Sequence, residues 1–147
     1  MSTVQNLFLK AMSATHTGLY RLTGGAIGGK MMGAPILLLT TKGRKTGLER
    51  TTPLLYLADG DALVIVASKG GAPEHPAWFH NLKANPRVTI QIGRERTGAD
   101  AREATPEERA RLWPQLTAMY SGYAAYQKKT TREIPLVILH RDGTASS

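Results

Sequence analysis

Two apolar runs flank a short basic turn, and that arrangement points to a sheet. Pro35-Ile36-Leu37-Leu38-Leu39-Thr40-Thr41 is almost continuously apolar, so the spacing predicts a strand covered on both faces. A second strand is expected from about Arg50 to Leu57. Between them, Lys42-Gly43-Arg44-Lys45-Thr46-Gly47-Leu48-Glu49-Arg50 packs four cations and one carboxylate into nine residues. A glycine-flanked turn of this kind presents several charge-assisted donors at one end of a sheet, a grip suited to a phosphate or a row of carboxylates. An anionic ligand at this turn is therefore expected, with a solvated basic loop as the alternative.

Downstream, Ala58-Asp59-Gly60-Asp61 has tight-turn chemistry and Ala62 to Ser68 predicts a third strand, ended by Gly70-Gly71-Ala72-Pro73. His75 to Ala84 reads as a short helix stopped by Asn85-Pro86, and Arg87 to Ile92 alternates as a half-buried strand. A fifth strand follows from about Glu95 to Ala104. Thr105-Pro106-Glu107-Glu108 is a capping box with Pro at the first helical position. Its helix should bury Leu112, Trp113, Leu116 and Tyr120 and kink at Pro114. A short helix around Ala124 to Lys129, a last strand from Ile134 to His140 and a fraying end complete the chain. Hairpin-linked strands without regular β-α alternation argue for an α+β fold, a small antiparallel barrel with peripheral helices.

The 147 residues are most simply one domain, 1–147, without need of disulfides or metals. Zero cysteines remove a thiolate zinc site and a cysteine nucleophile together. The N-terminus lacks a leader pattern and no run approaches a membrane span, so a cytoplasmic protein is expected. A net charge of +8 suits nucleic acid, an acidic membrane or an anionic small molecule, although sparse aromatics weaken a base-stacking surface.

Val4, Leu7, Phe8 and Ala11 predict an amphipathic helix over 3–14 that packs on the domain or a partner subunit, lies on a membrane, or covers a pocket. Gly24 to Lys30 fits G-x-x-x-x-G-K, but Met31 follows the lysine and no buried strand precedes it, so it is read as a flexible connection. His75 and His80 are five apart, the wrong spacing for two ligands on one helical face. No G-x-S-x-G elbow is present, which leaves hydrolysis little support. If strands one to three pair in order, Arg44, Lys45 and Arg50 meet Ser68, Lys69, Gly70 and Gly71 at one sheet edge.

Four linked motifs carry a resemblance. They are Thr40 to Gly47 with Arg50 to Leu54; Val66 to Pro73; His75-Pro76-Ala77-Trp78-Phe79-His80-Asn81-Leu82 with Asn85-Pro86; and Tyr120-Ser121-Gly122-Tyr123-Ala124-Ala125-Tyr126 with Ile134-Pro135. Over roughly 30–140 the chain resembles the deazaflavin-dependent nitroreductase family; residues 1–33 are not diagnostic. The resemblance implies a split β-barrel related to FMN-binding flavoproteins, using coenzyme F-420, which carries a phosphate and an oligoglutamate tail. Lys42, Arg44, Lys45 and Arg50, with Thr46 and Gly47, would grip that polyanion. Thr51, Thr52, Pro53 and Leu54 with Ala67, Ser68, Lys69 and Gly70 would line the ring and phosphate, and Pro76, Ala77, Trp78 and Asn81 would border the ring.

Under that resemblance Tyr123 is the candidate catalytic residue, contacting the deazaflavin or donating a proton. Tyr120 and Tyr126 would shape the acceptor cavity, and ordinary packing of the three tyrosines is the alternative. Leu55 and Trp78 make the acceptor side apolar, suited to quinones, enones or nitroaromatics. Three functions stay open: a reductase using reduced coenzyme F-420, a related FMN-type oxidoreductase, and a non-catalytic basic module for nucleic acid or anionic lipid. No nucleic acid is expected for the first, which would act as monomer or homodimer.

Overall fold

The computed structural model describes residues 30–31 and 34–143. The expected helix over 3–14 and most of the glycine-rich connection lie outside them.

The basic hairpin forms as the pattern predicts. A two-residue strand, β1 (Lys30–Met31), pairs with the start of β2 (Ala34–Lys42), which pairs antiparallel with β3 (Glu49–Leu55) from Ile36↔Leu55 to Lys42↔Glu49. Leu37 and Leu39 point into the barrel beside Leu63, Ile65, Ile90 and Leu139, while Ile36 and Leu38 are buried on the other face. Both faces of β2 are covered, as its continuous apolar run requires. In the turn, Gly47 takes φ +72°, a left-handed conformation that glycine adopts at little cost.

The remaining strands pair only partly in chain order. After β4 (Leu57–Asp59), β5 (Ala62–Val66), β6 (Arg87–Ile92), β7 (Glu95–Glu103) and β8 (Leu136–Arg141), the ladder runs β2-β6-β7-β8-β5-β4. The expected second strand is split at Tyr56, whose N–H donates to Pro35 O at 3.1 Å. Its first half, β3, pairs with β2, and its second half, β4, with β5. One bent segment thereby joins both ends of the sheet and closes a split barrel. The first three expected strands pair in chain order, β3 on β2 and β4 on β5, whereas the pairings β2-β6 and β5-β8 are long-range and leave little local trace in the sequence.

Alternation along β5 serves two layers. Leu63, Ile65 and, just past the strand end, Ala67 fill the barrel. Ala62, Val64 and Val66 pack against α2 (Pro106–Met119) and α3 (Gly122–Lys129) through Leu112, Leu116 and Tyr123. The capping box at Thr105 forms in full, and α2 continues through Pro114 as one element. Only Leu112 and Leu116 of α2 are fully buried; Trp113 is half-buried, with the Arg109 guanidinium 4.8 Å from its ring centre. Helix α1 (Ala77–Ala84) starts two residues later than expected, because Pro76 stays extended and disfavours a helical His75. Helix α3 starts two residues earlier: a Cβ on Gly122 would sit 2.4 Å from the Tyr120 ring, so glycine makes room for that ring.

Candidate active site

β3, the end of β5, α1 and α3 converge at one mouth of the barrel. A largely apolar cavity of about 550 Å³ is lined by Ile36, Thr52, Pro53, Leu54 and Leu55 from the hairpin and by Val66, Ser68, Lys69 and Gly70 after β5. Pro76 and Trp78 from α1 and Tyr123 and Tyr126 from α3 complete it. Through Thr52 and Trp78 it adjoins a groove of about 740 Å³ lined by Gly43, Arg44, Lys45, Thr46, Arg50, Thr51, Ala77 and Asn81. The cavity size lies within the range of small-molecule and cofactor sites.

Four residues singled out in the sequence sit elsewhere. Lys42 still belongs to β2, opposite Glu49, and lines a separate cavity with Asn85 and Arg87. Gly43 begins the turn that carries Arg44 toward α1, which is why the later cations reach the groove and Lys42 does not. Ala67 is fully buried, since it continues the inward alternation of Leu63 and Ile65. Gly47 shapes the turn and lines neither space. Tyr120 stands behind the cavity, its hydroxyl 2.8 Å from that of Tyr126.

The two spaces differ in electrostatics. Among the described residues Arg87, Arg102, Arg109 and Arg111 each have a carboxylate partner, whereas Arg44, Lys45 and Arg50 are in no ion pair. The turn bearing them is fixed to α1 by Asn81, whose Oδ1 accepts the Arg44 N–H at 3.1 Å. Lys69 is exposed and reaches Glu74 at 2.7 Å; its φ of +44° is unusual for a residue with a side chain.

In the cavity, Tyr123 is 5% exposed, and burial, then Tyr120 and Tyr126, raise its pKa far above the ordinary phenol value. It keeps its proton and is a hydrogen-bond donor throughout the physiological range. Tyr126 is pushed up to about 12, chiefly by its bond to Tyr120.

Sequence reasoning missed Arg132. Its guanidinium donates to the carbonyls of Ala67, Ser68 and Ala72 and lies 2.9 Å from His75 Nδ1. Burial, then the Arg132 charge, lower the pKa of His75. Contacts to backbone carbonyls impose no motif, so no sequence signal could have found it. Among the described residues no group of three or more His, Asp or Glu is placed to hold a metal ion.

An apolar chamber that opens onto uncommitted cations fits a ligand with a flat ring and an acidic tail, as coenzyme F-420 has. Fold and site together suit a split-barrel oxidoreductase with a deazaflavin-like cofactor. A family profile, F420H(2)-dependent quinone reductase, matches residues 12–141. The chain is 49% identical over 130 residues to a Mycobacterium tuberculosis protein named F420H(2)-dependent quinone reductase, covering 86% of this chain and 87% of that one. A solved F420-H2 dependent reductase (FDR-A) is 44% identical with TM-score 0.66, covering 71% of this chain and 93% of its own. Another solved chain, described as a domain-swapped dimer, is 39% identical with TM-score 0.68, covering 86% and 96%. More distant structures, 13 to 16% identical, share the fold alone. The chain belongs to the F420H(2)-dependent quinone reductase family, and it is an oxidoreductase that draws on reduced coenzyme F-420.

Proposed function

We propose that the apolar cavity holds the deazaflavin ring beside a quinone, while Arg44, Lys45 and Arg50 hold the acidic tail of the cofactor. The observation that carries this reading is the direct opening of the cavity, through Thr52 and Trp78, onto a groove whose three cations lack acidic partners among the described residues. Ser68, Lys69 and Gly70 line the same cavity, and this reading assigns them to the phosphate that joins ring and tail. When bound, the reduced deazaflavin would supply one hydride (two electrons and a proton together).

The protein's own contribution is placement. Leu55 and Trp78 exclude water and present an apolar wall to a flat acceptor, a quinone first and enones or nitroaromatics by the same shape. Tyr123, protonated and buried, donates a hydrogen bond to the acceptor oxygen that gains charge. A quinone that accepts the hydride and one proton becomes a hydroquinone, and that proton enters from water at the cavity mouth. Tyr126, held by Tyr120, bounds the acceptor side.

Among the described residues no helix is long and apolar enough to cross a membrane. The same reading puts the enzyme in the cytoplasm, with residues 3–14 in peripheral contact with the membrane that dissolves such quinones; co-sedimentation with anionic vesicles tests it. Assembly as a homodimer draws support from the similar chain described as a domain-swapped dimer, and sedimentation velocity tests that.

Fluorescence titration of coenzyme F-420, run beside FMN and duplex DNA, tests the central reading. Micromolar binding of the deazaflavin alone is expected, weakened roughly five- to thirtyfold by Arg44→Ala with Lys45→Ala. Reduced cofactor should be oxidised when menadione is added. Equal binding of FMN, or a double variant with unchanged affinity, would refute the assignment of the groove.

A further inference from the structure

We propose that Arg132 is a positioning residue for the cofactor-facing loop, and that a neutral His75 helps to hold it in place. The inference rests on the cavity reading above, because its effect is expected on cofactor binding.

Residues 67–72 leave β5 and carry Lys69 and Gly70 onto the cavity wall. Lys69, at φ +44°, is the costly position of the loop, since a residue with a side chain rarely takes the left-handed region; Gly70 and Gly71 follow at +62° and +80°, which glycine adopts at little cost. Such a stretch persists only when its surroundings over-determine it. On one side Gly71 presses against α3, where an added Cβ would lie 2.7 Å from Tyr126 O. On the other side Arg132 spans the whole stretch. It donates to Ala67 O at 3.2 Å, Ser68 O at 2.8 Å and Ala72 O at 2.9 Å.

Arg132 is itself tied to α3. Gln127 Nε2 donates to Arg132 O at 2.8 Å, and Gln127 Oε1 accepts the Ile134 N–H at 3.0 Å. The helix that brings Tyr123 and Tyr126 to the cavity is thus linked to the loop that brings Lys69. Only a planar fork of donors satisfies three carbonyls in different directions; an ammonium group on a lysine stem cannot reach all of them.

His75 completes the set. A guanidinium only donates, so His75 Nδ1, at 2.9 Å, must accept, and the ring must be neutral with its proton on Nε2. The groups facing His75 disfavour its charged form: Arg132, His80 with ring centres 5.7 Å apart, and the apolar Phe79 ring at 4.8 Å; Glu103 opposes them. Protonation would set an N–H against the guanidinium, release that contact and loosen the loop. Grip on the cofactor should therefore weaken on acidification.

The test measures the dissociation constant of coenzyme F-420, together with kcat, KM for menadione and melting temperature, on the wild type, Arg132→Lys and His75→Gln from about pH 5 to about pH 8. Glutamine accepts through Oε1 and does not titrate. Arg132→Lys is expected to raise the cofactor dissociation constant about tenfold or more while KM for menadione barely moves. The wild type should lose affinity as pH falls, and His75→Gln should lose less, giving a pH-dependent ratio between the two; protonation of the cofactor is common to both and cancels. If Arg132→Lys does not fold, His75→Gln decides alone. A folded Arg132→Lys with wild-type affinity, or identical acid profiles for wild type and His75→Gln, would overturn the proposal. A wild type that binds no coenzyme F-420 at all would sink the cavity reading and this one with it.

Discussion

Asn81 Oδ1 accepts the backbone N–H of Arg44 at 3.1 Å, and its Nδ2 donates to Thr41 Oγ1 at 3.3 Å. One buried amide thus fixes the basic turn to α1 and aims the groove. Asn81→Leu keeps the branched shape but strands the buried Thr41 hydroxyl and the part-buried Arg44 N–H, at a cost of about 1–3 kcal/mol. Asn81→Asp still accepts from Arg44 and can also accept from the Thr41 hydroxyl, so it should melt closer to the wild type. Its new negative charge, however, repels an acidic cofactor tail. Thermal melts and cofactor titrations should therefore rank the two variants in opposite order: Leu worse for stability, Asp worse for affinity.

Tyr123 separates binding from turnover. Its ring packs in the layer formed by Leu112, Leu116 and Val66, and phenylalanine preserves that packing. Tyr123→Phe should leave cofactor affinity within about twofold and lower kcat about tenfold, the effect of one lost hydrogen bond to the charge-gaining oxygen. Because burial raises the Tyr123 pKa, the wild type should show no alkaline loss of activity from this residue below about pH 10. Steady-state kinetics with menadione check both points, and an unchanged kcat removes Tyr123 from the reaction.

What was legible in the chain was local. The apolar run at Pro35–Thr41, the basic turn and the capping box at Thr105 each specify structure through neighbours a few residues apart, and all three formed. The break at Tyr56 was not legible, because it is decided by Pro35, over twenty residues earlier in the chain, and by which strands each half meets. For the candidate site, glycines and cations marked segments that line the cavity and groove, but motif membership does not say which way a side chain faces. Ala67 faces the core and Lys42 stays in its strand, so both fell away from the cavity. Arg132 escaped notice because its partners are carbonyls that any residue supplies.

Glu108 ties α2 to β7. Its carboxylate receives Arg102 at 2.7 and 2.8 Å and the Thr105 N–H at 2.9 Å, and these bonds, Arg102 first, pull its pKa from 4.5 to about 2. A depressed carboxyl stabilises the fold fully above its unfolded pKa and loses that contribution as pH falls through its folded value. The window therefore runs from about 4.5 down to about 2. The pair is part-exposed, so Glu108→Gln should cost about 1–2 kcal/mol at neutral pH, roughly 3–6 °C in melting temperature. Melts at neutral and acid pH should show the gap between variant and wild type shrinking on acidification. A gap that stays constant would mean the ion pair contributes nothing.

Glu74 holds Lys69 at 2.7 Å, and Lys69 lines the cavity where a phosphate is proposed to lie. A phosphate must draw the ammonium away from this carboxylate, so the contact competes with ligand. Glu74→Gln removes the competitor and a repulsive charge together, without touching the buried framework, since both partners are largely exposed. Cofactor affinity should rise roughly two- to fivefold at low salt, and the gain should fade as ionic strength screens the site. Lys69→Ala should weaken binding, and adding Glu74→Gln to it should bring back little, because the carboxylate acts mainly through that lysine. Four titrations form the cycle. Independent effects of the two substitutions would show that Glu74 does not restrain Lys69.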